Sequence, residues 1–246
     1  MNAIETRKLT KRYKTKTAVS ELDLTVNEGE LFALLGVNGA GKTTTVRMLS
    51  CLSEPTSGEC FVCGKSCIKE PQAVKEIIDI SPQDTAVADN LTVFENLRLI
   101  CGIYGYSKEK TTAKIEEMIK LFNMEEVRNS RSKTLSGGWK RKLSIAMALI
   151  SEPKVLFLDE PTLGLDVLAR RDLWSVVESL KGKITIVLTT HHMEEAEHLA
   201  DRIAIMLEGQ IAALGTLAEL EQLSGKQGLE ESFVAIAEKY GKKAAR

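Results

Sequence analysis

Nine residues near position 40 have the types and the spacing that bind the phosphates of a nucleotide. The stretch reads Gly36-Val37-Asn38-Gly39-Ala40-Gly41-Lys42-Thr43-Thr44 and fits the pattern G-x-x-x-x-G-K-[ST]. Glycines in such a loop let backbone N–H groups approach phosphate oxygens, and the start of a following helix adds positive potential. Lys42 would then reach the β- and γ-phosphates, and the Thr43 hydroxyl would ligate Mg²⁺.

Two carboxylates follow an apolar run that has the length of a buried strand. The run extends from Val155 to Leu158, and Asp159 and Glu160 come directly after it. Burying a carboxylate costs free energy, so two of them here suggest a bound cation or a catalytic role. Open α/β sheets bind ligands at this end of their strands. We therefore expect Asp159 to face Mg²⁺, directly or through water, and Glu160 to be a candidate general base for an attacking water. The alternative is that both carboxylates cap the next segment.

Three further side chains stand where a bound nucleotide could meet them. Gln83 follows a predicted strand over residues 77–81, and its amide could ligate a metal or sense a partner. His191 follows the apolar strand 184–190 and could donate a hydrogen bond to the γ-phosphate. Tyr13 lies among basic residues, where an exposed ring could stack on a flat base. A structural histidine and an ordinary half-buried tyrosine are the plain alternatives.

A second helix start also suits a phosphate. Ser136, Gly137 and Gly138 precede a helical pattern, so the backbone N–H groups of the two glycines and the serine hydroxyl would point outward from its first turn. A Ser-Gly-Gly helix cap is common, so this stretch alone indicates little.

The elements that must position these residues alternate between strands and helices. The run 31–35 is short and apolar, as in a buried parallel strand, and residues 42–50 favour a helix. Residues 1–30 alternate in the manner of antiparallel strands, whereas 92–152 carry apolar residues at helical spacing. Residues 203–214 indicate a hairpin around Glu208-Gly209. The tail from Leu217 suggests polar helices with few bulky residues.

Composition narrows the function further. The chain has 246 residues, 43% hydrophobic and 27% charged content, and a formal net charge of −1, which gives no reason to expect a nucleic-acid partner. Basic clusters such as Lys140-Arg141-Lys142 are interpreted as a solvated face or a local contact. No stretch approaches the roughly 18 apolar residues that span a bilayer, and residues 1–5 do not resemble a secretory signal. A cytosolic chain is therefore expected, unless another protein holds it at a membrane.

The five cysteines are an odd number, and a chain of this size does not need disulfides, so reduced thiols are expected. Cys60, Cys63 and Cys67 could suggest a metal site. We favour the interpretation that they are small apolar residues of a strand and its turn, because no fourth ligand is evident nearby.

The order of these motifs resembles the ATP-binding cassette (ABC) family over essentially the whole chain. The order is the phosphate loop, the glutamine, Leu-Ser-Gly-Gly at 135–138, the strand with Asp-Glu and the strand with histidine. Leu-Ser-Gly-Gly is that family's signature motif, and Gly164-Leu165-Asp166 is similar to its D-loop. The resemblance assigns catalysis to Lys42, Glu160 and His191, and Mg²⁺ binding to Thr43, Gln83 and Asp159. It assigns ATP binding to Tyr13, Gly36, Asn38, Gly39, Ala40, Gly41, Lys42, Thr43, Thr44, Gln83, Ser136, Gly137, Gly138 and Asp166.

The same resemblance implies a fold. It is an α/β P-loop NTPase (RecA-like) core with a mostly parallel sheet, an N-terminal antiparallel β subdomain and an inserted α-helical subdomain. One ABC ATPase domain would cover residues 1–220, and a C-terminal helical appendage would cover 221–246. Within the domain, 1–30 and 59–68 would supply the β subdomain, 84–152 the helical subdomain, and 31–58, 69–83 and 153–220 the core.

The segment after His191 is similar to the ATPase subunits of ABC-2-type transporters. Its residues are Thr190-His191-His192-Met193-Glu194-Glu195-Ala196-Glu197. The resemblance implies ATP and Mg²⁺ as ligands, a separate integral-membrane partner and a second ABC ATPase subunit, as a homodimer or a heterodimer. Such a chain would lie in the cytoplasm at the inner face of the cell membrane and would drive export.

Two alternatives remain open at this stage. A soluble ABC ATPase, such as an iron–sulfur assembly ATPase, has a similar length, and a catalytically silent ATP-binding regulator would keep the same fold. One departure from the family pattern bears on function: Trp139 stands where the signature usually continues with glutamine. The bulky Trp139 could instead pack against the neighbouring helices or the second subunit.

Overall fold

The computed structural model describes residues 1–244, which form two β-sheets and nine α-helices. The strands are β1 Asn2–Tyr13, β2 Lys16–Asn27, β3 Leu31–Leu35, β4 Ser57–Val62, β5 Lys65–Ser66, β6 Ile78–Ser81, β7 Val155–Asp159, β8 Thr185–Thr190, β9 Arg202–Leu207 and β10 Gln210–Gly215. The helices are α1 Lys42–Leu49, α2 Pro71–Lys75, α3 Val93–Ile103, α4 Lys108–Leu121, α5 Gly137–Leu149, α6 Val167–Ser179, α7 Met193–Leu199, α8 Leu217–Ser224 and α9 Leu229–Ala244.

The larger sheet has six strands in the order β10-β9-β3-β8-β7-β6. All neighbours in it are parallel except β10, which pairs antiparallel with β9. Every residue of β3, β7 and β8 is buried, which explains why these strands are largely apolar, with only Asp159 and the threonines of β8 as polar members. Parallel strands bring their carboxyl ends to one edge of the sheet, so the segments after β3, β7 and β8 meet there.

The smaller sheet is antiparallel, with the order β2-β1-β4-β5. Burial alternates along the second half of β2, as expected for a strand with one face on the core. Tyr13 is the last residue of β1 and pairs with Lys16, the first residue of β2. The ring of Tyr13 therefore stands at the end of this sheet rather than within its core.

The region between β6 and β7 is helical, as predicted for the inserted lobe. Helix α3 begins with a capping box, in which the Thr92 hydroxyl accepts from the N–H of Glu95 and the Glu95 carboxylate accepts from the N–H of Thr92. A short 3-10 helix, Ser132–Thr134, leads into α5. Helices α3, α4, α5 and α6 share one apolar cluster with β7 and β8, so the lobe is joined to the larger sheet through its core.

The C-terminal helices are more closely integrated than the polar composition of the tail suggested. Helix α8 crosses the boundary predicted at 220/221, and Leu220, Leu229, Phe233 and Ile236 are buried together with residues of β3 and β9. The last three of these residues recur at helical spacing along α9, which gives an otherwise polar helix one apolar stripe. This stripe is why the segment packs on the core.

The cysteines make no disulfide, and the described residues contain no group of three or more His, Cys, Asp or Glu side chains arranged to hold a metal ion. Cys60 and Cys67 are buried in the cluster beneath the smaller sheet. None of the helices in the described part of the chain is long and apolar enough to cross a membrane.

Candidate active site

The phosphate loop connects β3 to α1 and lies at the carboxyl edge of the larger sheet. Two of its glycines have no room for a side chain. A Cβ on Gly36 would lie 2.4 Å from the carbonyl oxygen of Met206, and one on Gly41 would lie 2.5 Å from that of Ala18. Gly41 also has a φ of +108°, in the left-handed region. Any larger residue at either position would displace the backbone that forms the phosphate cradle.

Lys42 is buried at the first position of α1. Its Nζ donates to the carbonyl of Gly36 at 2.7 Å and lies 3.2 Å from Glu160 Oε1, so its charge is paired at the centre of the loop. Both side chains of this ion pair are about 6% exposed. In water-poor surroundings an ammonium of this kind offers a strong positive centre to an incoming phosphate.

Glu160 connects the ends of two strands. Its Oε2 lies 2.8 Å from Nδ1 of His191, and its backbone N–H donates to the hydroxyl of Thr189 at 3.1 Å. Glu160 has a φ of +48°, a conformation that is uncommon for a residue with a side chain. The carboxylate therefore lies between an ammonium and an imidazole, where it could take a proton from a water placed in the cavity beside it.

Asp159 lies one residue earlier, at the buried end of β7. Its Oδ1 accepts hydrogen bonds from the hydroxyls of Thr43, at 3.1 Å, and Thr189, at 2.5 Å. One carboxylate and a threonine hydroxyl form an all-oxygen donor set, which suits Mg²⁺. These residues fit the ion, and they would hold it next to the loop.

One cavity of about 460 Å³ contains most of the predicted site residues. It is lined by Tyr13, Lys16, Ala18, Asn38, Gly39, Ala40, Gly41, Lys42, Thr43, Thr44, Gln83, Glu160, Leu163 and His191. Tyr13 is among the lining residues and is 46% exposed, with Lys11 Nζ 5.1 Å from its ring centre. An aromatic ring and a cationic loop in one cavity match the base and the phosphates of a nucleotide.

The signature residues are absent from the lining of this cavity. Ser136 and Gly138 line a separate cavity of about 390 Å³, together with Trp139 and Lys142. Gly137 is exposed at the start of α5, and Ser136 caps that helix by accepting from the N–H of Trp139 at 3.4 Å. Asp166 lines neither cavity; its carboxylate caps α6 by accepting from the N–H of Ala169 at 2.9 Å.

Sequence reasoning missed the role of Arg141. Its guanidinium is buried and donates to the carbonyl of Pro82, at 2.6 Å, and to that of Gln83. Burial lowers the pKa of Arg141, although the carboxylate of Asp159 opposes this shift. The helix that follows the signature is thus attached to the loop that carries Gln83.

The residues of the basic cluster 140–142 each contact specific partners and do not form a solvated face. Lys142 is buried; its Nζ donates to Asp172 and lies 4.6 Å from the centre of the Trp139 ring. Lys140 pairs with Asp89 at 3.0 Å. Asp89 and Asp172 lie far from the cluster in sequence, one before it and one after it, so no local pattern could have indicated these pairs.

His192 has different contacts from its neighbour His191. The two rings lie 4.1 Å apart between centroids, and burial lowers the pKa of His192, with the proximity of His191 adding to the shift. His191 contacts Glu160, whereas His192 precedes α7 and its N–H donates to the Thr190 hydroxyl at 3.0 Å. The structure therefore directs His191 toward the cavity.

The family model and the similar proteins of known name all point to the same family. Residues 19–163 match the family model described as ABC transporter. The chain is 43% identical over 212 residues to human phospholipid-transporting ATPase ABCA3, a match that covers 86% of this chain and 12% of the relative. It is 41% identical over 228 residues to the daunorubicin/doxorubicin resistance ATP-binding protein DrrA of Streptomyces peucetius, covering 92% of this chain and 69% of DrrA.

A solved structure matches as well. The ATP-binding cassette MJ0796, in a dimeric post-hydrolysis state bound to ADP and Pi, aligns with a TM-score of 0.78 and 26% identity. The alignment covers 87% of this chain and 98% of that chain. The predicted α/β fold class is confirmed by this similarity.

Proposed function

Because the chain belongs to the ABC transporter family and has its ATPase fold, we propose that it is the ATP-hydrolysing subunit of a transporter. The observation that carries the proposal is the meeting of Lys42, Glu160 and His191 in one cavity with the phosphate loop. A loop that binds phosphates, a carboxylate placed as a base and a histidine at the same edge are the parts that γ-phosphate hydrolysis requires.

We assign the steps of hydrolysis to this chain's own groups. Lys42 and the backbone N–H groups of residues 36–44 bind the β- and γ-phosphates, and Tyr13 stacks on the adenine. Glu160 accepts the proton of the attacking water, and His191 donates a hydrogen bond to the γ-phosphate and orients Glu160. Thr43, Asp159 and Gln83 would hold Mg²⁺, which supplies charge neutralisation at the phosphates.

We further propose that a second ABC subunit completes each site. Ser136 and Gly138 line a cavity separate from the one that contains the phosphate loop, and this separation supports a contact of Ser136, Gly137 and Gly138 with ATP held by another chain. Asp166 would lie at the same junction. The dimeric MJ0796 structure supports this arrangement.

The proposed membrane partner is a separate polypeptide, and the chain would act from the cytoplasmic face of the membrane. DrrA, a drug resistance ATP-binding protein of which this chain covers 69%, supports a role in export. The match to ABCA3 spans only 12% of that relative, so its phospholipid is not carried over. These relatives do not favour the alternative of an iron–sulfur assembly ATPase.

Glu160→Gln tests the proposal. Removing the base while keeping the shape leaves ATP binding intact, so we expect loss of turnover by about 10²-fold or more and a dimer that persists with ATP. ATPase rate and size-exclusion chromatography with multi-angle light scattering measure the two effects. Lys42→Ala serves as the matched control, because it removes phosphate binding and should yield neither turnover nor dimer.

Normal ATP hydrolysis by Glu160→Gln would show that another group is the base. A wild-type chain that neither hydrolyses ATP nor dimerises, alone or with a membrane partner, would contradict the proposed function as a whole.

A further inference from the structure

Glu195 is a buried acid that the catalytic scheme does not yet use. It lies in the first turn of α7, its exposed fraction is 0%, and its Oε1 accepts a hydrogen bond from Nε1 of Trp174 at 3.3 Å. Carboxyl groups are rarely placed in a core without a specific partner, because burial disfavours the charged form. Such a group therefore calls for a structural or functional reason.

The second oxygen of this carboxyl makes the observation more specific. Among the described residues, two buried side-chain atoms have no hydrogen-bond partner, and they are Glu195 Oε2 and Thr162 Oγ1. The two groups are close enough for the hydroxyl of Thr162 to affect the ionisation of Glu195. The hydroxyl of Thr162 is therefore a candidate partner for Glu195 Oε2.

The surroundings favour the neutral acid, which can donate a hydrogen bond. Burial raises the pKa of Glu195; the hydroxyls of Thr190 and Thr162 and the indole of Trp174 oppose the shift, and the nearby charge of Glu160 adds to it. A neutral carboxyl group can hold an O–H donor toward one neighbour and an acceptor toward another.

The neighbours of Glu195 belong to the two segments that carry the catalytic pair. Thr162 comes two residues after Glu160, and Thr190 directly precedes His191. The hydroxyls of Thr162 and Thr190 lie close enough to Glu195 to lower the pKa of its carboxyl group, against the effect of burial. We propose that Glu195 is a positioning residue, which fixes the segment 160–162 against the end of β8 and thereby sets Glu160 relative to His191. This inference rests on the proposed function, since it assigns a support to that site.

Glu195→Leu and Glu195→Gln separate the hydrogen bonds from the volume. Leucine keeps the bulk and removes both polar atoms, whereas glutamine retains a donor and an acceptor at neutral charge. We expect kcat for ATP to fall about tenfold or more in Glu195→Leu and to stay within about twofold in Glu195→Gln, with KM in both within about threefold, because the phosphate loop is untouched. Glu194→Gln, on the same helix but exposed, is the matched control and should leave both constants unchanged.

Thr162→Val removes the other unpartnered group with little change in volume. It should lower kcat like Glu195→Leu, and the double variant should add little further loss, because both changes abolish the same proposed pairing of Thr162 with Glu195. Thermal unfolding confirms that the variants are folded; Thr162→Val keeps the test open should Glu195→Leu fail to fold.

A second measurement needs no turnover. The chain has three histidines, so ¹⁵N-histidine NMR can follow the Nδ1 resonance of His191. It should move in Glu195→Leu and Thr162→Val, and stay in place in Glu195→Gln and Glu194→Gln. An unmoved resonance and an unchanged kcat in folded Glu195→Leu would overturn the inference, as would a glutamine variant as impaired as the leucine one. Absent wild-type turnover would instead count against the proposed function.

Discussion

Glu160 combines an uncommon backbone conformation with the position of the proposed catalytic base. Its φ of +48° places a residue other than glycine in the left-handed region, which costs about 1–3 kcal/mol and persists only where the surroundings impose it. Here the hydrogen bond from its N–H to Thr189 and the contacts of its carboxylate with Lys42 and His191 provide that constraint. The strain supports a functional reason for the position of Glu160.

Tyr13→Ala tests the base-stacking role at the same scale. Base–aromatic stacking is worth about 1–3 kcal/mol, so we expect the Kd for ATP to rise by about 5- to 150-fold. Isothermal titration calorimetry of the wild type and of Tyr13→Ala with ATP measures the difference in Kd. Tyr13→Phe keeps the ring and should bind ATP like the wild type.

Tyr104→Ala is the control, since Tyr104 is equally exposed, at 45%, but lies outside the cavity, where its hydroxyl donates to Asp79. An affinity for ATP that is the same in Tyr13→Ala and Tyr104→Ala would refute the stacking role.

At the scale of elements, helices α5 and α9 each connect distant parts of the sequence. Helix α5 starts at the signature and, through Arg141, contacts the loop of Gln83, so a movement of one reaches the other through two hydrogen bonds. Helix α9 joins the edge of the larger sheet through Phe233 and Ile236. The first connection links candidate binding regions, whereas the second stabilises the fold.

Phe233→Ala tests the structural role of α9. Phe233 is 6% exposed in a cluster with β3 and β9, so its truncation should lower the free energy of unfolding by about 3 kcal/mol. ATP affinity should be unchanged, because the cluster lies away from the cavity. Urea unfolding measures the first quantity and calorimetry the second.

The neighbouring Val234→Ala is the matched control, since Val234 is 49% exposed and its loss should change stability by less than about 0.5 kcal/mol. Equal stability of the Phe233 and Val234 variants would show that α9 is a peripheral appendage after all.

At the scale of the whole molecule, the division between two cavities decides what one chain can do. The phosphate loop, Glu160 and His191 line the first cavity, and Ser136 and Gly138 line the second. Under the proposed function, a monomer would present each half of a site on a different surface. Binding of ATP between two chains would favour the closed dimer, and hydrolysis would release it.

Mixing two inactive variants tests this composition in solution. Lys42→Ala disables the phosphate loop and Ser136→Arg disables the signature, so each alone should have little ATPase activity. A heterodimer of the two variants has one intact site of two, formed by the phosphate loop of the Ser136→Arg chain and the signature of the Lys42→Ala chain. The mixture should therefore regain activity, to about a quarter of the wild-type rate where half of the dimers are heterodimers and the sites are independent. The ATPase rate of the mixture and of each variant alone measures this.

A mixture no more active than its components would contradict a site shared between two copies of this chain. Mixing Lys42→Ala with Glu160→Gln is the control, because both changes lie on the same half and no heterodimer regains an intact site.

Much of the chemistry was predictable from the sequence, because it depends on contiguous residues. Spacing alone identifies the phosphate loop at 36–44, and an apolar run followed by Asp159 and Glu160 identifies a strand with polar residues at its end. The parallel sheet follows from short, largely apolar runs at the places of β3, β7 and β8, since strands buried on both faces read that way. Local patterns suffice for features that local physics determines.

Tertiary structure alone decided the rest. Arg141 and Glu195 look like ordinary helix residues, and their partners at Pro82, Gln83 and Trp174 are 21 to 59 positions away in sequence. The exclusion of Ser136 from the nucleotide cavity likewise depends on how the helical lobe packs on the sheet. Burial and charge pairing are properties of surfaces brought together by folding, and no stretch of sequence contains them.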